Sequence, residues 1–345
     1  MYRTNRISGP LVLGACAILI SCSTQEPEQD LAPTKALLSV SEVQAWLEAN
    51  PEVVFLEVSK PKQFSEGHIP GAQNLWRPEL EDVYSYPYTG MRADKKQLER
   101  LLGSKGIQPS QPIIIYDHRA CVEASRLHWM LEYYGYTKVY LLNGGKEAWE
   151  RSGAPLESGV ASVVKPEPFR FTASPKVELI ASFEEVSAAL QDTNIILVDT
   201  REKDEYLGQA FLYKKKAVPF KPGAFDRGSI PGAIHLNWSH AVDLHGDHCF
   251  KSLQDIRYNL QQVGIDSTKT IIAYCQSGVR SAHMTFVLRH LLGYPKVKNY
   301  DGSWIEWSYK SLEDPDLPLT KKTEEAEFKR QLLALEIANH SANQE

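Results

Sequence analysis

Apolar and polar positions alternate along the chain in blocks that suit short buried strands separated by helices. Residues 53–58 and 195–198 are β-rich apolar runs, and residues 113–116 and 271–274 are almost wholly apolar. Runs this short, bounded by polar turns, read as strands buried on both faces. Ahead of the first two runs stand Ser39 with Glu42 and Ser182 with Glu185. These S-x-x-E capping boxes open amphipathic helices. Each half then continues with a G-x-I-P-G segment (67–71 and 228–232), a helical stretch, an apolar strand, a loop, another helix and a short last strand. The alternation predicts an α/β fold: parallel sheets covered by helices on both faces, with right-handed crossovers and ligands beyond the strand C-termini.

The two halves are copies. Gly106 matches Gly264, Gly135 matches Gly293, Gly144 matches Gly302 and Trp149 matches Trp307, all at one offset of 158 residues. A single long period is the mark of duplication, not of a solenoid. The predicted organisation is a domain over 37–155, a Pro/Ser/Gly-rich linker over 156–176 stiffened by Pro166 and Pro168, a second domain over 177–318, and a helical tail over 319–345 containing Leu332, Leu333 and Leu335. Trp149 and Trp307 are read as anchors of helices to the sheets, and Trp238 as core or as a lining of the cleft.

The first residues follow another pattern. Arg3 and Arg6 precede an apolar-to-small run over residues 7–20 that is short for a membrane span and suits a secretory signal. The run ends in Leu19-Ile20-Ser21-Cys22, which resembles the bacterial lipobox. That resemblance implies a lipoprotein signal peptide over 1–21, lipidation at Cys22, a tether over 22–36, and a periplasm-facing chain held at a membrane of the cell envelope, with Ser23 favouring the outer one. A plain signal peptide or an uncleaved anchor is the alternative. A net charge of −5 without a basic stripe argues against nucleic acid as a partner. A monomer is expected.

Candidate chemistry lies where the strand 271–274 empties into Cys275-Gln276-Ser277-Gly278-Val279-Arg280-Ser281. A loop curled around Cys275 aims its successive amides inward, while the following helix N-terminus and Arg280 add positive potential. Such a nest favours the thiolate, which attacks a sulfane sulfur and holds it as a persulfide. Gly278 permits the tight turn.

The order G-x-I-P-G-A, strand-Cys-Gln-Ser-Gly-Val-Arg-Ser, then Asp-Gly-Ser-Trp-x-Glu-Trp, resembles a rhodanese domain. The duplicated arrangement resembles tandem thiosulfate or 3-mercaptopyruvate sulfurtransferases over about residues 37–316. The resemblance implies Cys275 as the catalytic nucleophile at the interface between domains, with Gln276, Ser277, Gly278, Val279, Arg280 and Arg201 as substrate contacts and Asp199 in support. It implies no cofactor and no metal; the partners are a small sulfur donor and a thiophilic acceptor. Asp117 aligns with Cys275, so the first copy is read as silent, walling the cleft. The terminal Arg280 of the loop is similar to bacterial thiosulfate enzymes. Glu205, six residues after Asp199 where mercaptopyruvate enzymes carry an arginine, weakens the keto-acid reading. Lys214, Lys215 and Lys216 lie in an inserted stretch and read as a solvated charge run near the cleft.

Competing readings are few. A phosphatase of this fold needs C-x5-R to cradle a tetrahedral phosphate, whereas Cys275 to Arg280 is C-x4-R. A carrier that receives persulfide sulfur and hands it on without turnover remains an alternative. Cys121, inside the first copy's loop, reads as packing. Cys249 with His240, His245 and His248 lacks the spacing of a closed metal site. A Cys121–Cys249 disulfide is open on sequence alone.

Overall fold

The computed structural model describes residues 36–49, 52–213, 215–218 and 220–321. The segment 1–21, Cys22, nearly all of the tether, Lys214 and the tail beyond 321 lie outside the described residues. Among the described residues no helix is long and apolar enough to cross a membrane.

The first copy runs β1 (Leu37–Leu38), α1 (Val40–Ala49), β2 (Val54–Val58), α2 (Pro61–Glu66), β3 (Gln73–Leu75), α3 (Lys95–Ser104), β4 (Ile113–Tyr116), α4 (Val122–Tyr133), β5 (Val139–Leu142) and α5 (Gly145–Arg151). The second runs β6 (Ile180–Ala181), α6 (Phe183–Ala189), β7 (Ile195–Asp199), α7 (Lys203–Tyr206), β8 (Phe211–Tyr213), β9 (Lys216–Val218), β10 (Ile234–His235), α8 (Leu253–Gln262), β11 (Thr270–Tyr274), α9 (Val279–Phe286), β12 (Val297–Tyr300) and α10 (Ser303–Glu313). The sheets are β1-β5-β4-β2-β3 and β6-β12-β11-β7-β10, and every pairing within them is parallel. The hairpin β8–β9 is an antiparallel insertion of the second copy. Both expected capping boxes form: Ser39 N–H donates to Glu42 at 2.8 Å, and Ser182 accepts from Glu185 N–H at 3.2 Å.

Central strands β4 and β11 are buried because helices cover both faces, which is why their sequences carry no polar alternation. Each ends in a tyrosine with the same task. The Tyr116 hydroxyl accepts from the Ile69 amide at 3.0 Å, and the Tyr274 hydroxyl from the Ile230 amide at 3.1 Å. The isoleucine of each G-x-I-P-G turn is thus tied to the strand that feeds the loop.

Beside these tyrosines the copies solve one electrostatic problem in two ways. Asp199 is fully buried and paired with Arg201 at 2.6 Å, whose guanidinium also donates to the Gly228 carbonyl at 2.7 Å and lies 4.7 Å over the Trp304 ring. In the first copy Glu57 takes the acid's place, Ser59 stands where Arg201 would, and the cation comes from Lys146, the counterpart of Trp304. Its ammonium lies 3.5 Å from Glu57 and 2.6 Å from the Gly67 carbonyl. A buried carboxylate needs a partner, and either helix or strand end supplies one.

The segment predicted as a linker is a packed strap. Phe169 and Phe171 are buried against Tyr136 and Tyr134, with ring centroids 5.8 and 5.2 Å apart. The Phe171 amide donates to Glu99 at 3.0 Å and the Glu167 amide to the Gly103 carbonyl at 3.0 Å. Two phenylalanines in a Pro-rich segment contribute about 1.5–3 kcal/mol each when buried, enough to dock it. Trp149 and Trp307 act as chain anchors, donating to the carbonyls of Pro155 (2.9 Å) and Pro318 (3.2 Å) just beyond each copy.

Helices α4 and α9 pack against each other, and one continuous hydrophobic cluster runs through both copies, joining Leu127 and Met130 to Ala282 and Phe286. Arg126 crosses this contact, meeting the buried Asp301 at 2.5 Å and donating to the carbonyls of Gly90 (3.1 Å) and Gly278 (3.3 Å). Arg92 meets Asp301 at 3.1 Å. Burial pushes the Asp301 carboxyl up, but these two guanidiniums hold it below the usual range. Equivalent positions also meet: Glu132 and His290, 158 residues apart, bond at 2.9 Å, so the helices are related by a local two-fold.

Candidate active site

Strand β11 delivers Cys275 to the end of the sheet, and the chain turns through Gly278, at φ 78°, into α9. The turn is held from behind by the Asp-Gly-Ser-Trp segment. The Ser303 hydroxyl accepts from the amides of Cys275 (3.1 Å) and Gly278 (3.0 Å) and donates to the Tyr300 carbonyl (2.7 Å). The amides of Trp304 and Ile305 donate to the carbonyls of Cys275 and Gln276. Ser303 takes a left-handed backbone, φ 53°, to do so.

Cys275 is 1% exposed and lies at the base of a cavity of about 370 Å³. The loop residues Gln276, Ser277, Val279 and Arg280 line it. Burial pushes the Cys275 thiol up. The Arg280 charge, the amides of Ser281 and Ser277 and the Ser281 hydroxyl outweigh that and hold it below the ordinary thiol value. The thiolate is therefore the favoured form relative to a free cysteine, and it is the nucleophilic one.

Arg280 is itself clamped. Its guanidinium makes a two-pronged pair with Glu205, at 2.6 and 2.9 Å. Lys221, from the insertion that holds β8 and β9, lies 3.6 Å from the same carboxylate and lines the cavity. Burial raises Glu205, but Arg280 and then Lys221 hold it down at about 2. Glu205 thus fixes two cations beside the sulfur.

The opposite wall belongs to the first copy: Arg77, Glu81, Thr89, Gly90 and Val122. Arg77 is paired with Glu123. Gly90, at φ 95°, comes so near that a Cβ there would stand 2.7 Å from that of Ser277. A glycine is needed for the two copies to approach this closely beside Cys275. Trp238 lines the cavity rather than serving as core alone.

Two expected substrate contacts lie elsewhere. Arg201 is 1% exposed, spent on Asp199 and the Gly228 carbonyl, and lines a separate small cavity behind Gln276. Its role corrects to support of the strand end. Gly278 shapes the turn, and its carbonyl accepts from Arg126 and Asn299 instead of facing the cavity.

The corresponding loop of the first copy carries an aspartate in place of the cysteine. The Asp117 carboxylate occupies the Cys275 position and accepts amide hydrogens from Cys121 (3.1 Å), Glu123 (2.9 Å) and Ala124 (3.3 Å). Glu123 is the counterpart of Ser281, so one amide serves a carboxylate in one copy and a thiol in the other. Burial pushes Asp117 up to about 7 against the pull of these amides.

Sequence reasoning missed Arg77, Glu81, Gly90 and Lys221, which no local spacing ties to Cys275. Ser281 and Ser303 stood within the quoted motifs but were given no role. Cys121 is fully buried, donates to the Leu142 carbonyl at 3.1 Å and is pushed well above the ordinary thiol value by burial and then by Asp117. Cys121 and Cys249 are free thiols. His240 and His248 bond to nearby carbonyls at 3.1 and 3.0 Å and do not gather with Cys249 into a metal cluster among the described residues.

The family model for the rhodanese-like domain matches residues 39–152 and again 182–310. A protein of Mycobacterium bovis named "Putative thiosulfate sulfurtransferase 1" is 38% identical over 270 residues, covering 76% of this chain and 92% of that protein. The sulfur carrier protein TtuD of Thermus thermophilus is 35% identical over 282 residues, covering 80% and 94%. Among solved structures, the anaerobic ergothioneine biosynthesis enzyme of Chlorobium limicola superposes with a TM-score of 0.70 at 25% identity, covering 84% of this chain and 71% of that one. The chain therefore belongs to the rhodanese family and carries its domain twice, with an aspartate at the loop position of the first copy and a cysteine at that of the second.

Proposed function

We propose that this sulfurtransferase takes sulfane sulfur from thiosulfate onto Cys275 and passes it to a thiophilic acceptor such as cyanide or a thiol. The Cys275 thiolate attacks the outer sulfur of thiosulfate. The S–S bond of the donor breaks, sulfite leaves with the electron pair, and Cys275 is left as a persulfide anion. The acceptor then attacks the outer sulfur, and the electron pair of the new S–S bond returns to the Cys275 thiolate. The observation that carries the reading is the buried Cys275 sulfur, set among loop amides and Arg280 in a cavity lined by both copies. The loop amides together with the Arg280 charge, which has only Val122 as its counterpart in the first copy, favour the negative outer sulfur of a persulfide.

Thiosulfate is favoured over 3-mercaptopyruvate because Glu205 already engages Arg280 through both prongs, so a donor carboxylate meets no free guanidinium fork there. Lys221 and Arg77 also line the cavity, each beside a carboxylate, where they can reach the oxygens of a bound anion. The test is thiocyanate formation from thiosulfate and cyanide over many turnovers, with loss in Cys275→Ser; a single sulfur loaded per chain without turnover would favour the carrier reading instead. Equal or better turnover with 3-mercaptopyruvate would displace thiosulfate. The amino-terminal run supports export and acylation at Cys22, checked by the intact mass of the mature chain.

A further inference from the structure

A second group of chemistry-bearing side chains lies away from Cys275, on the two-fold between the copies. His128 and Glu132 stand one helical turn apart on α4, on the same face. His290 comes from the turn after α9. One donor atom from each of the three falls within 4.8 Å of the others. The His290 Nε2 and a Glu132 oxygen are 2.9 Å apart, and the rings of His128 and His290 have centroids 5.1 Å apart. The group opens on a cavity of about 300 Å³ lined also by Thr137, Tyr140 and Lys176.

Most of this reads as an interdomain ion-pair lock. Arg289 donates to the other Glu132 oxygen at 3.2 Å, and Lys176 lies 3.9 Å from it. The lock does not account for His128. Its ring is 2% exposed, and its Nε2 has no hydrogen-bond partner. A buried imidazole nitrogen left without a partner costs free energy unless something is there to meet it.

We propose that His128, Glu132 and His290 form a binding site for a divalent transition-metal ion, Zn²⁺ by their donor chemistry, that pins the two copies together at their axis. Two imidazoles and one carboxylate are a set that binds zinc, with the fourth position left to water from the cavity. Arg289 and Lys176 hold one Glu132 oxygen and leave the other for the metal.

The test uses the full chain, stripped with chelator and dialysed against micromolar Zn²⁺, with metal per chain measured by mass spectrometry. Wild type and a Cys249→Ser, Cys275→Ser double variant, which removes two of the five thiols, are expected to retain one zinc each. His290→Gln and Glu132→Gln are expected to bind at least about tenfold more weakly and to lose the rise in unfolding temperature that zinc gives the wild type. Should a variant fail to fold, Co²⁺ loaded into the wild type provides a second measurement: visible bands of a nitrogen–oxygen site without thiolate charge transfer are expected. No zinc in the wild type, unchanged binding in the variants, or a sulfur-ligated cobalt spectrum overturns the proposal.

Discussion

Replacing Ser303 separates two effects that the loop combines. The hydroxyl is fully buried and is the acceptor for the amides of Cys275 and Gly278. In Ser303→Ala both lose their partner, and a methyl leaves no room for water. Each orphaned buried amide costs roughly 1–3 kcal/mol, so the variant is expected to lose about 3 kcal/mol of stability. Ser303→Gly loses the same hydroxyl but relieves the left-handed backbone at φ 53°, a strain of about 1–2 kcal/mol for a residue with a Cβ. Glycine is therefore expected to be about 1 kcal/mol more stable than alanine, while both lose sulfurtransferase activity to the same degree, about tenfold or more, because the loop amides are no longer aimed at the sulfur. Urea unfolding followed by tryptophan fluorescence gives the stabilities, and initial rates with thiosulfate give the activities. A destabilisation in Ser303→Ala under about 0.5 kcal/mol, or activity restored in Ser303→Gly, refutes the reasoning.

Alkylation of Cys275 should titrate below the ordinary thiol value, since its folded value is depressed by Arg280 and the loop amides against the upward push of burial. By linkage, the thiolate's contribution to stability is present above the unfolded thiol value and lost as pH falls through the folded one; the difference in stability between wild type and Cys275→Ser should shrink on acidification through that window, and a pH-independent difference counts against it. Arg126→Ala leaves buried Asp301 with Arg92 alone and orphans two carbonyls, at a cost of about 3–5 kcal/mol; chemical unfolding measures it, and a loss below about 1 kcal/mol contradicts the assignment. Tyr116→Phe and Tyr274→Phe each strand one isoleucine amide, so both should lose roughly 1–3 kcal/mol in the same assay, and a large effect in one copy alone would deny the equivalence of the turns.

The duplication, the strands and the cysteine loop that follows β11 are legible because each rests on local pattern. Apolar runs of four or five residues, S-x-x-E caps and G-x-I-P-G turns are written within a few positions, and the offset of 158 residues then places Asp117 opposite Cys275. Contacts that join distant segments were not legible. Arg77 and Gly90 reach the cavity only because α4 packs on α9, and Lys221 because an insertion folds back over the sheet. Composition marks the strap as the join between the copies but does not reveal that Phe169 and Phe171 dock it. Of the D-x-R element, Asp199 is expected in support and Arg201 at the substrate; the fully buried Asp199 claims the arginine, which leaves it off the cavity of Cys275. The cysteine–histidine cluster around residue 249 drew notice by proximity in sequence, whereas His128, Glu132 and His290 come together through the symmetry of the repeat.

That symmetry has a bearing on origins. A helix face that meets its own copy across a two-fold is self-complementary, and unlinked single domains bearing it would close into a dimer with two equal centres. Fusing such a pair into one chain frees the halves from having to match. One can then surrender its thiol for an aspartate and specialise as the lid of its neighbour, a division of labour that no symmetric assembly of identical subunits can reach.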